Sequence, residues 1–493
     1  MILNVVLSLK YFLPELILTG FALAVLILGL FVKRRAVLGV FCLLGILSAI
    51  SFMPQSYRAT APLFSNMLIN DSFSEFFKEI TLLVMGLVIL ISMGYKAFSD
   101  EDAGEYYFLL MAVAVTMMIA VSSNNLMMIY IALEAVSLIS YILVAFLKRD
   151  NLSSEAGLKY FLFGALATGV MLYGISFIYG LFGTTDLAAI SRTLTAGNAN
   201  IFAATIALIL ILAGLSFKCA LVPFHMWVPD AYQGAPTPIT AFISAGPKAI
   251  GFAILIRIFL KNFFPLFPNW SELVSVIAII TMTAGNILAI NQENIKRMLG
   301  YSSIAQAGYI LIGFVVGTAL GIQGVMFYLL AYVLMNLGAF GCVVLVSNII
   351  KNDYIEEYSG LSKREPALAF LLTMFLLSLA GIPPLAGFFG KFLVFAAAIQ
   401  SKYYILAIAG VANSVLALYY YVKVVKFMYL DEPRTSAEGR DRPRVMIAEP
   451  KKHGFISVEA GAVKLALIIA LAGILIIGLF PAPFLSWISL SLL

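Results

Sequence analysis

The chain has 493 residues, of which 62% are hydrophobic and 11% are charged, and its formal net charge is +6. An ordinary soluble domain carries about 25% charged residues, so this composition excludes a soluble cytosolic enzyme. Apolar runs of about 20 residues recur along nearly the whole sequence, which is typical of a polytopic α-helical membrane protein.

Fourteen apolar spans are predicted, and each must be helical because lipid offers no partner for backbone N–H and C=O groups. In chain order they are Phe12–Val32, Val37–Met53, Phe73–Tyr95, Tyr106–Val121, Leu126–Leu147, Gly157–Leu181, Ile201–Trp227, Pro238–Phe259, Leu273–Ile290, Met298–Val316, Gly321–Ile349, Pro366–Ile399, Tyr403–Met428 and Val463–Leu485. The seventh and twelfth spans contain internal prolines, which interrupt a helix. The predicted fold is therefore all-α, with fourteen transmembrane helices, two of them interrupted.

The basic residues of the loops predict the orientation. With the N-terminus outside, the inner loops carry Lys33, Arg34, Arg35, Lys96, Lys148, Arg149, Lys296, Arg297, Lys351, Lys363, Arg364, Arg434, Arg440, Arg442, Arg444, Lys451 and Lys452. The outer loops carry Lys10, Arg58, Arg192, Lys261 and Lys402. This positive-inside bias predicts that both termini lie outside. The inner connection Asp431–Glu459 is predicted to be a solvated link, and the outer segment Pro54–Ser72 leaves room for a short hairpin.

Several classes of site are not predicted. The three cysteines, Cys42, Cys219 and Cys342, are far apart and form no CxxC pair, so no iron–sulfur cluster, zinc site or disulfide framework is expected. No GxGxxG or GxxxxGK[ST] motif is present to bind a nucleotide phosphate. We therefore predict no redox cofactor in this chain. Because the basic residues sort by side of the membrane instead of forming a patch, no nucleic-acid partner is expected.

Five ionisable residues lie inside the predicted spans: Glu134, Lys159, Lys218, Lys248 and Lys391. A charge at the centre of a membrane helix costs roughly 2.5–3.5 kcal/mol, so such residues usually line a polar interior or a path. Ion pairs that hold the bundle together are the alternative. In that interpretation Glu134 and Lys159 neutralise each other, and Glu155 is a second partner one turn before Lys159.

The ion-pair interpretation fits the whole set poorly, because four lysines would share one central carboxylate. Burial favours loss of a lysine proton, so the set favours proton exchange. Both interrupted spans also have a lysine near the break: Lys218 precedes Pro223, and Lys391 follows Pro383 and Pro384. Two broken helices in corresponding parts of two halves indicate a transport site between inverted repeats.

Other ionisable residues are open to more than one interpretation. His225 lies seven residues after Lys218 and faces the same way if the helix stays regular, so it is either a proton relay or an interfacial residue at the helix end. Four residues near the ends of the first and third spans are expected to extend towards the membrane interface. They are Glu15, Glu75, Lys78 and Glu79.

Three motifs resemble the antiporter-like membrane subunits of respiratory complex I, the NADH-quinone oxidoreductase. They are FHMWVPDAYQGAPTPITAFISAGPK at Phe224–Lys248, NIKRMLGYSSIAQAGYIL at Asn294–Leu311 and SLAGIPPLAGFFGKF at Ser378–Phe392. The similarity runs across nearly the full chain. Within this family the chain resembles the N type: the L type is longer, the M type typically has Glu where Lys391 stands, and both tend to have His where Lys248 stands.

The resemblance implies two inverted five-helix repeats, at residues 104–263 and 264–430, between N-terminal helices (1–103) and an inner loop with a last helix (431–493). It implies proton translocation through Glu134, Lys159, Lys218, Lys248 and Lys391, which match the family's functional positions.

The resemblance also implies partners and a location. Other complex I membrane subunits, including sister antiporter-like subunits, and the lipid bilayer would be the partners, with FMN and iron–sulfur clusters in other subunits. The expected location is the bacterial inner membrane. Two alternatives remain: a subunit of a multi-subunit cation/proton antiporter, and a structural subunit whose lysines are vestigial.

Overall fold

A computed structural model of the chain describes residues 8–53, 61–97, 99–197, 199–432 and 458–492. Its helices are α1 (Leu13–Phe31), α2 (Arg35–Phe52), α3 (Ser72–Met93), α4 (Ala103–Ser122), α5 (Leu126–Val144), α6 (Asn151–Phe182), α7 (Leu187–Thr195), α8 (Ile201–Cys219), α9 (Trp227–Gly234), α10 (Thr237–Leu255), α11 (Phe267–Ile290), α12 (Ile295–Val316), α13 (Ala319–Ile350), α14 (Leu361–Arg364), α15 (Pro366–Ala380), α16 (Ala386–Gln400), α17 (Tyr404–Tyr429), α18 (Val458–Leu479) and α19 (Pro481–Leu492). The strands are β1 (Ala61–Leu63) and β2 (Leu68–Asn70).

Among the described residues, thirteen helices are long and apolar enough to cross a membrane. The two 15-residue helices α15 and α16 lie end to end in the twelfth predicted span. Every one of the fourteen predicted spans therefore contains helix, and the prediction of an all-α polytopic membrane protein is confirmed. The predicted link Asp431–Glu459 falls largely on residues 433–457, which lie outside the described ranges.

Side-chain caps explain why some helices begin before their apolar runs. Asp150 accepts a hydrogen bond from the backbone N–H of Leu152, so α6 starts at Asn151, six residues before the predicted span. Asn125 and Asn294 cap α5 and α12 in the same way. An N-cap side chain satisfies backbone donors that the first helical turn leaves open, and polar residues can then extend the helix past the apolar segment.

The predicted outer hairpin is present: β1 and β2 pair antiparallel, with Ala61 opposite Asn70. Asp71 follows the second strand, caps α3 and accepts hydrogen bonds from both Nη atoms of Arg257, at 3.1 and 2.9 Å. Burial by itself raises the pKa of the Asp71 carboxyl, but the guanidinium of Arg257 outweighs burial and holds that pKa below its ordinary value. The hairpin is thereby anchored to the end of α10.

The expectation that the charged residues of the first and third spans reach the interface is wrong for three of them. Glu15, Glu75 and Lys78 are buried. The Nζ of Lys78 lies 3.0 Å from the Oε1 of Glu15 and 3.2 Å from the Oε1 of Glu75. Glu75 and Lys78 are one turn apart on α3 and face α1, so they form buried ion pairs. Glu79 is half-buried.

The centre of the molecule is formed by α10, α12 and α13, whose membrane-crossing segments are almost entirely enclosed by other helices. Helices such as α1, α2, α6 and α17 instead leave large apolar side chains exposed on one face, where lipid or neighbouring subunits can cover them. The enclosed helices α10 and α12 carry Lys248 and its hydrogen-bond partner, so a polar site lies deep inside the bundle.

Candidate functional site

The first interruption separates α8 from α9. Helix α8 ends at Cys219, where Ala220 adopts a left-handed conformation with φ of 61°. Residues 221–226 are not helical, and α9 begins at Trp227. Lys218 is buried in the last turn of α8, and its ammonium donates a hydrogen bond to the hydroxyl of Ser137 on α5. The break therefore places a buried cation next to a neighbouring helix.

Glu134 lies one turn before Ser137 on α5, so its carboxylate faces the same region as the ammonium of Lys218. It is the carboxylate whose charge acts on Lys218. The Oε1 of Glu134 is buried and has no hydrogen-bond partner among the described residues. Glu134 is therefore one turn from the hydroxyl that binds Lys218, and the described residues show no ion pair between Glu134 and Lys218.

The predicted pairing of Glu134 with Lys159 is wrong. The Nζ of Lys159 lies 2.7 Å from the Oε1 of Glu155 and 2.8 Å from the Oδ2 of Asp230 on α9. Glu155, predicted as a second partner, is confirmed as one. The side chain of Lys159 is 40% exposed, and the residue is only the ninth of 32 in α6. Lys159 therefore lies nearer one end of its helix than mid-depth, because α6 is longer than its apolar run.

Lys248 occupies the enclosed centre, on α10, and is 1% exposed. Its Nζ donates to the carbonyl oxygen of Ser303 on α12 at 2.6 Å and lies 2.5 Å from the Ser303 hydroxyl. That hydroxyl is also 3.0 Å from the phenol oxygen of Tyr232. A Cβ atom added to Gly251, one turn beyond Lys248, would lie 3.3 Å from the Cβ of Lys218. The backbones that carry Lys218 and Lys248 are therefore in close contact.

The second interruption separates α15 from α16. Helix α15 ends at Ala380, Gly381 follows it with a φ of 89°, and α16 begins at Ala386. Lys391 lies on α16, is buried, and donates back across the break to the carbonyl oxygen of Ala380 at 2.9 Å. Its Nζ also lies 4.5 Å from the centre of the Tyr309 ring. Both predicted interruptions are confirmed, and each has its lysine in hydrogen-bond contact.

Uncharged polar residues on α12 lie between Lys248 and Lys391, and reasoning from charged residues in the sequence missed them. Gln306, one turn after Ser303, donates to the carbonyl oxygen of Leu379 at 2.9 Å and accepts from the hydroxyl of Tyr328 at 2.5 Å. Leu379 precedes Ala380, the acceptor of Lys391. The spacing of Ser303 and Gln306 within an apolar helix is the signal that could have identified this polar face.

His225 lies in the break itself, not on a helix. The prediction that His225 faces the same way as Lys218 required a regular helix, and the helix is interrupted there. The residue is buried, and its Nδ1 has no hydrogen-bond partner among the described residues. The structure gives no hydrogen bond or ion pair between the described His225 and the five ionisable residues above.

Three cysteines lie within the described ranges, and all are unpaired and buried. The described residues contain no group of three or more His, Cys, Asp or Glu side chains that could hold a metal ion.

Comparisons with known proteins identify relatives of the chain. Residues 123–417 match the family described as "NADH:quinone oxidoreductase/Mrp antiporter, TM". A protein of Trichlorobacter lovleyi, named NADH-quinone oxidoreductase subunit N, is 42% identical over 97% of this chain and 96% of its own length. A protein of Thermosynechococcus vestitus, named NAD(P)H-quinone oxidoreductase subunit 2, is 42% identical over 95% of this chain and 91% of its own length.

Solved structures resemble the chain over nearly its full length. A chain of respiratory complex I from Thermus thermophilus is 31% identical, with a TM-score of 0.77 over 96% of this chain and 98% of that chain. A chain of the Mrp complex from a Dietzia species has a TM-score of 0.82 over 98% of this chain and 97% of that chain. It is only 21% identical, so that similarity concerns the fold alone.

Proposed function

The chain belongs to the family of subunit N of NADH-quinone oxidoreductase, and we propose that its protons follow the row of ionisable residues from Glu134 to Lys391. Members of this family are proton-translocating membrane subunits, and electrons pass from NADH to quinone in other subunits. The antiporter alternative is not favoured, because relatives at about 40% identity over nearly the full chain carry the subunit N name.

The observation that carries the proposal is the placement of these residues on adjoining helices. Lys218 contacts α5 near Glu134, and its backbone packs against α10 one turn from Lys248. Ser303 and Gln306 of α12 then lead to the carbonyl groups that end α15, where Lys391 binds. The row therefore crosses from the first proposed repeat, residues 104–263, into the second, residues 264–430.

The proposed mechanism is electrostatic. Burying an ammonium without a full counter-charge is costly, and the charge on one lysine opposes a charge on the next. Loading one site with a proton therefore promotes release from its neighbour. Moving one charge against 100 mV requires about 2.3 kcal/mol. A change of one pKa unit corresponds to about 1.36 kcal/mol, so a change in the surroundings of a buried lysine that shifts its proton affinity by about two pKa units supplies this energy.

Finer features complete the proposal. The chain is a multi-pass protein of the respiratory complex, placed in the bacterial inner membrane with both termini outside. FMN and iron–sulfur clusters belong to partner subunits, and this chain holds no cofactor. Single cysteines introduced at Lys402 and Lys363 test the orientation: a membrane-impermeant thiol reagent added from outside should label only the first. Labelling of Lys363→Cys alone would invert the proposed topology.

Lys248→Met tests the pathway, because methionine has similar length and no exchangeable proton. Removing a buried charge rarely destabilises a fold when an apolar residue replaces it, so the complex should assemble. Proton uptake by membrane vesicles during NADH oxidation should fall by at least about tenfold, a loss within the range of removed proton-transfer groups. Lys363→Met, which changes an exposed lysine, is the matched control. Normal proton uptake in an assembled Lys248→Met complex would contradict the pathway.

A further inference from the structure

Asp230 lies between the two proposed repeats and contacts a cation from each. Its Oδ2 is 2.8 Å from the Nζ of Lys159 on α6, and its Oδ1 is 2.7 Å from the Nη1 of Arg297 on α12. Asp230 is on α9, the short helix that follows the first break. One carboxylate thus joins the interrupted helix to both halves of the molecule.

The far end of α9 contacts both repeats: a Cβ atom added to Gly234 would lie 2.6 Å from the Cβ of Ala156 on α6. The Nη1 of Arg297 also donates to the amide oxygen of Gln233 at 2.9 Å. The neighbouring Lys296 donates to the carbonyl oxygen of Ala235, just after α9, at 2.8 Å. These bonds come from consecutive residues of α12, so α9 is held by α12 as well as by α6.

The near end of α9 is connected to Lys218. The ring of Trp227 stacks on that of Tyr160, with centres 4.2 Å apart and planes at 17°. Its indole N–H donates to the carbonyl oxygen of Phe217 at 3.3 Å, across the break. Because Phe217 precedes Lys218, this hydrogen bond connects α9 to the residue before the buried lysine. Helix α6 also contacts α9 through two neighbouring residues, Lys159 and Tyr160. Movement of α9 therefore reaches the backbone that carries the buried lysine.

We propose that Asp230 is a positioning residue that couples the charge on Lys159 to the placement of Lys218. This inference rests on the proposed proton pathway. The two cations differ in chemistry: lysine can release its proton, whereas the arginine guanidinium stays protonated. When Lys159 gives up its proton, its ion pairs with Asp230 and Glu155 become hydrogen bonds to a neutral amine. Arg297 keeps its full charge, and the carboxylate is then held mainly by the second repeat.

The exposure of the cluster fits this role. The side chains of Lys159 and Asp230 are 40% and 33% exposed, so the cluster is not sealed inside the bundle. A purely structural tether would be satisfied by two permanently charged cations. Lys159→Arg therefore distinguishes the proposed coupling from a structural tether, because arginine keeps the ion pair but does not release its proton.

The experiment compares three variants in the assembled complex. It measures proton uptake by vesicles and amide hydrogen exchange of the peptide that covers residues 219–226. For Asp230→Asn we expect exchange in the break to rise, and proton uptake to fall, by roughly fivefold each, which lies within the coupling of contacting residues. For Lys159→Arg we expect unchanged exchange with reduced uptake. Asp230→Glu should restore part of both. Asp100→Asn, which removes an acid from an ion pair with Arg35, is the matched control.

Each outcome of this experiment either supports or overturns the inference. Faster exchange in Asp230→Asn with normal proton uptake would reduce the contact to a structural tether and overturn the coupling. Normal uptake in Lys159→Arg would overturn the requirement for proton release. If Lys248→Met stops proton uptake while Asp230→Asn leaves uptake and exchange unchanged, this inference alone fails. If Lys248→Met pumps normally, the pathway itself fails.

Discussion

At the first interrupted helix the lysine precedes the break, and at the second it follows the break. In both cases the ammonium lies at the carboxyl end of the first half-helix: Lys218 is in the last turn of α8, and Lys391 reaches back from α16 to the last carbonyl of α15. Unpaired carbonyl groups and the helix dipole make that end electronegative. A buried lysine therefore lies beside the proline break in both halves of the chain.

The partners of the two lysines differ. Lys218 binds a hydroxyl of another helix and feels the carboxylate of Glu134. Lys391 binds its own interrupted helix, and no ion pair involving it occurs within the described ranges. Release of a proton at Lys218 therefore loosens a contact between helices, whereas release at Lys391 loosens a contact across its own break. The predictions below test this difference.

Lys218→Ala has the largest expected effect. The fold should persist, because the change removes a buried cation, but proton-coupled quinone reduction should fall by about a hundredfold, as expected for a group that transfers protons. The measurement is NADH-driven quinone reduction together with proton uptake, normalised to assembled complex. Ser137→Ala, which keeps the lysine and removes its hydroxyl partner, should lose less. Full activity in an assembled Lys218→Ala complex would remove the first break from the pathway.

Lys391→Arg and Lys391→Glu test whether the second lysine carries protons. Arginine stays protonated, so it cannot release a proton, whereas glutamate can still titrate. We therefore expect protons pumped per NADH oxidised to be roughly tenfold lower with arginine than with glutamate, by analogy with the loss of a proton-transfer group. Equal or better pumping with arginine would mean that Lys391 acts as a fixed charge.

Ala220→Gly and Gly381→Ala change the residues that directly follow α8 and α15, the helices that precede the two breaks. Both positions have left-handed φ, which costs a residue with a Cβ about 1 kcal/mol relative to glycine. A Cβ at Gly381 would also lie 2.9 Å from the Cδ of Lys391. Gly381→Ala should lower the thermal stability of the complex and reduce pumping, while Ala220→Gly should leave both unchanged or raise stability slightly. A loss of thermal stability in Ala220→Gly would show that the left-handed φ is not a source of strain at the first break.

A pair of double-mutant cycles gives the smallest expected effect. Glu134→Gln and Lys218→Met should be coupled by about 0.5–3 kcal/mol, as residues that interact usually are. Glu134→Gln and Lys159→Met should be additive within about 0.5 kcal/mol, because Lys159 is paired with Asp230 and Glu155. Proton uptake rates supply both cycles. Coupling between Glu134 and Lys159 that exceeds the coupling to Lys218 would restore the pairing that the sequence suggested.

The sequence by itself determined the spans and the breaks. A run of apolar residues reports the length of a membrane helix, and Pro223 or Pro383 removes a backbone donor wherever the chain folds. The sequence also placed Lys218 and Lys391 close to those breaks. The family was identified from three motifs, and the comparisons confirmed it.

Only the tertiary structure decided which charges meet. Glu134 faces Lys218, Lys159 faces Asp230, and Lys78 lies buried between two glutamates. Helical periodicity places a side chain at a depth and on a face, but it does not state which remote helix covers that face. The partner of each buried charge depends on the packing of helices far apart in sequence, and that packing is set by the shapes of all the contacting surfaces together.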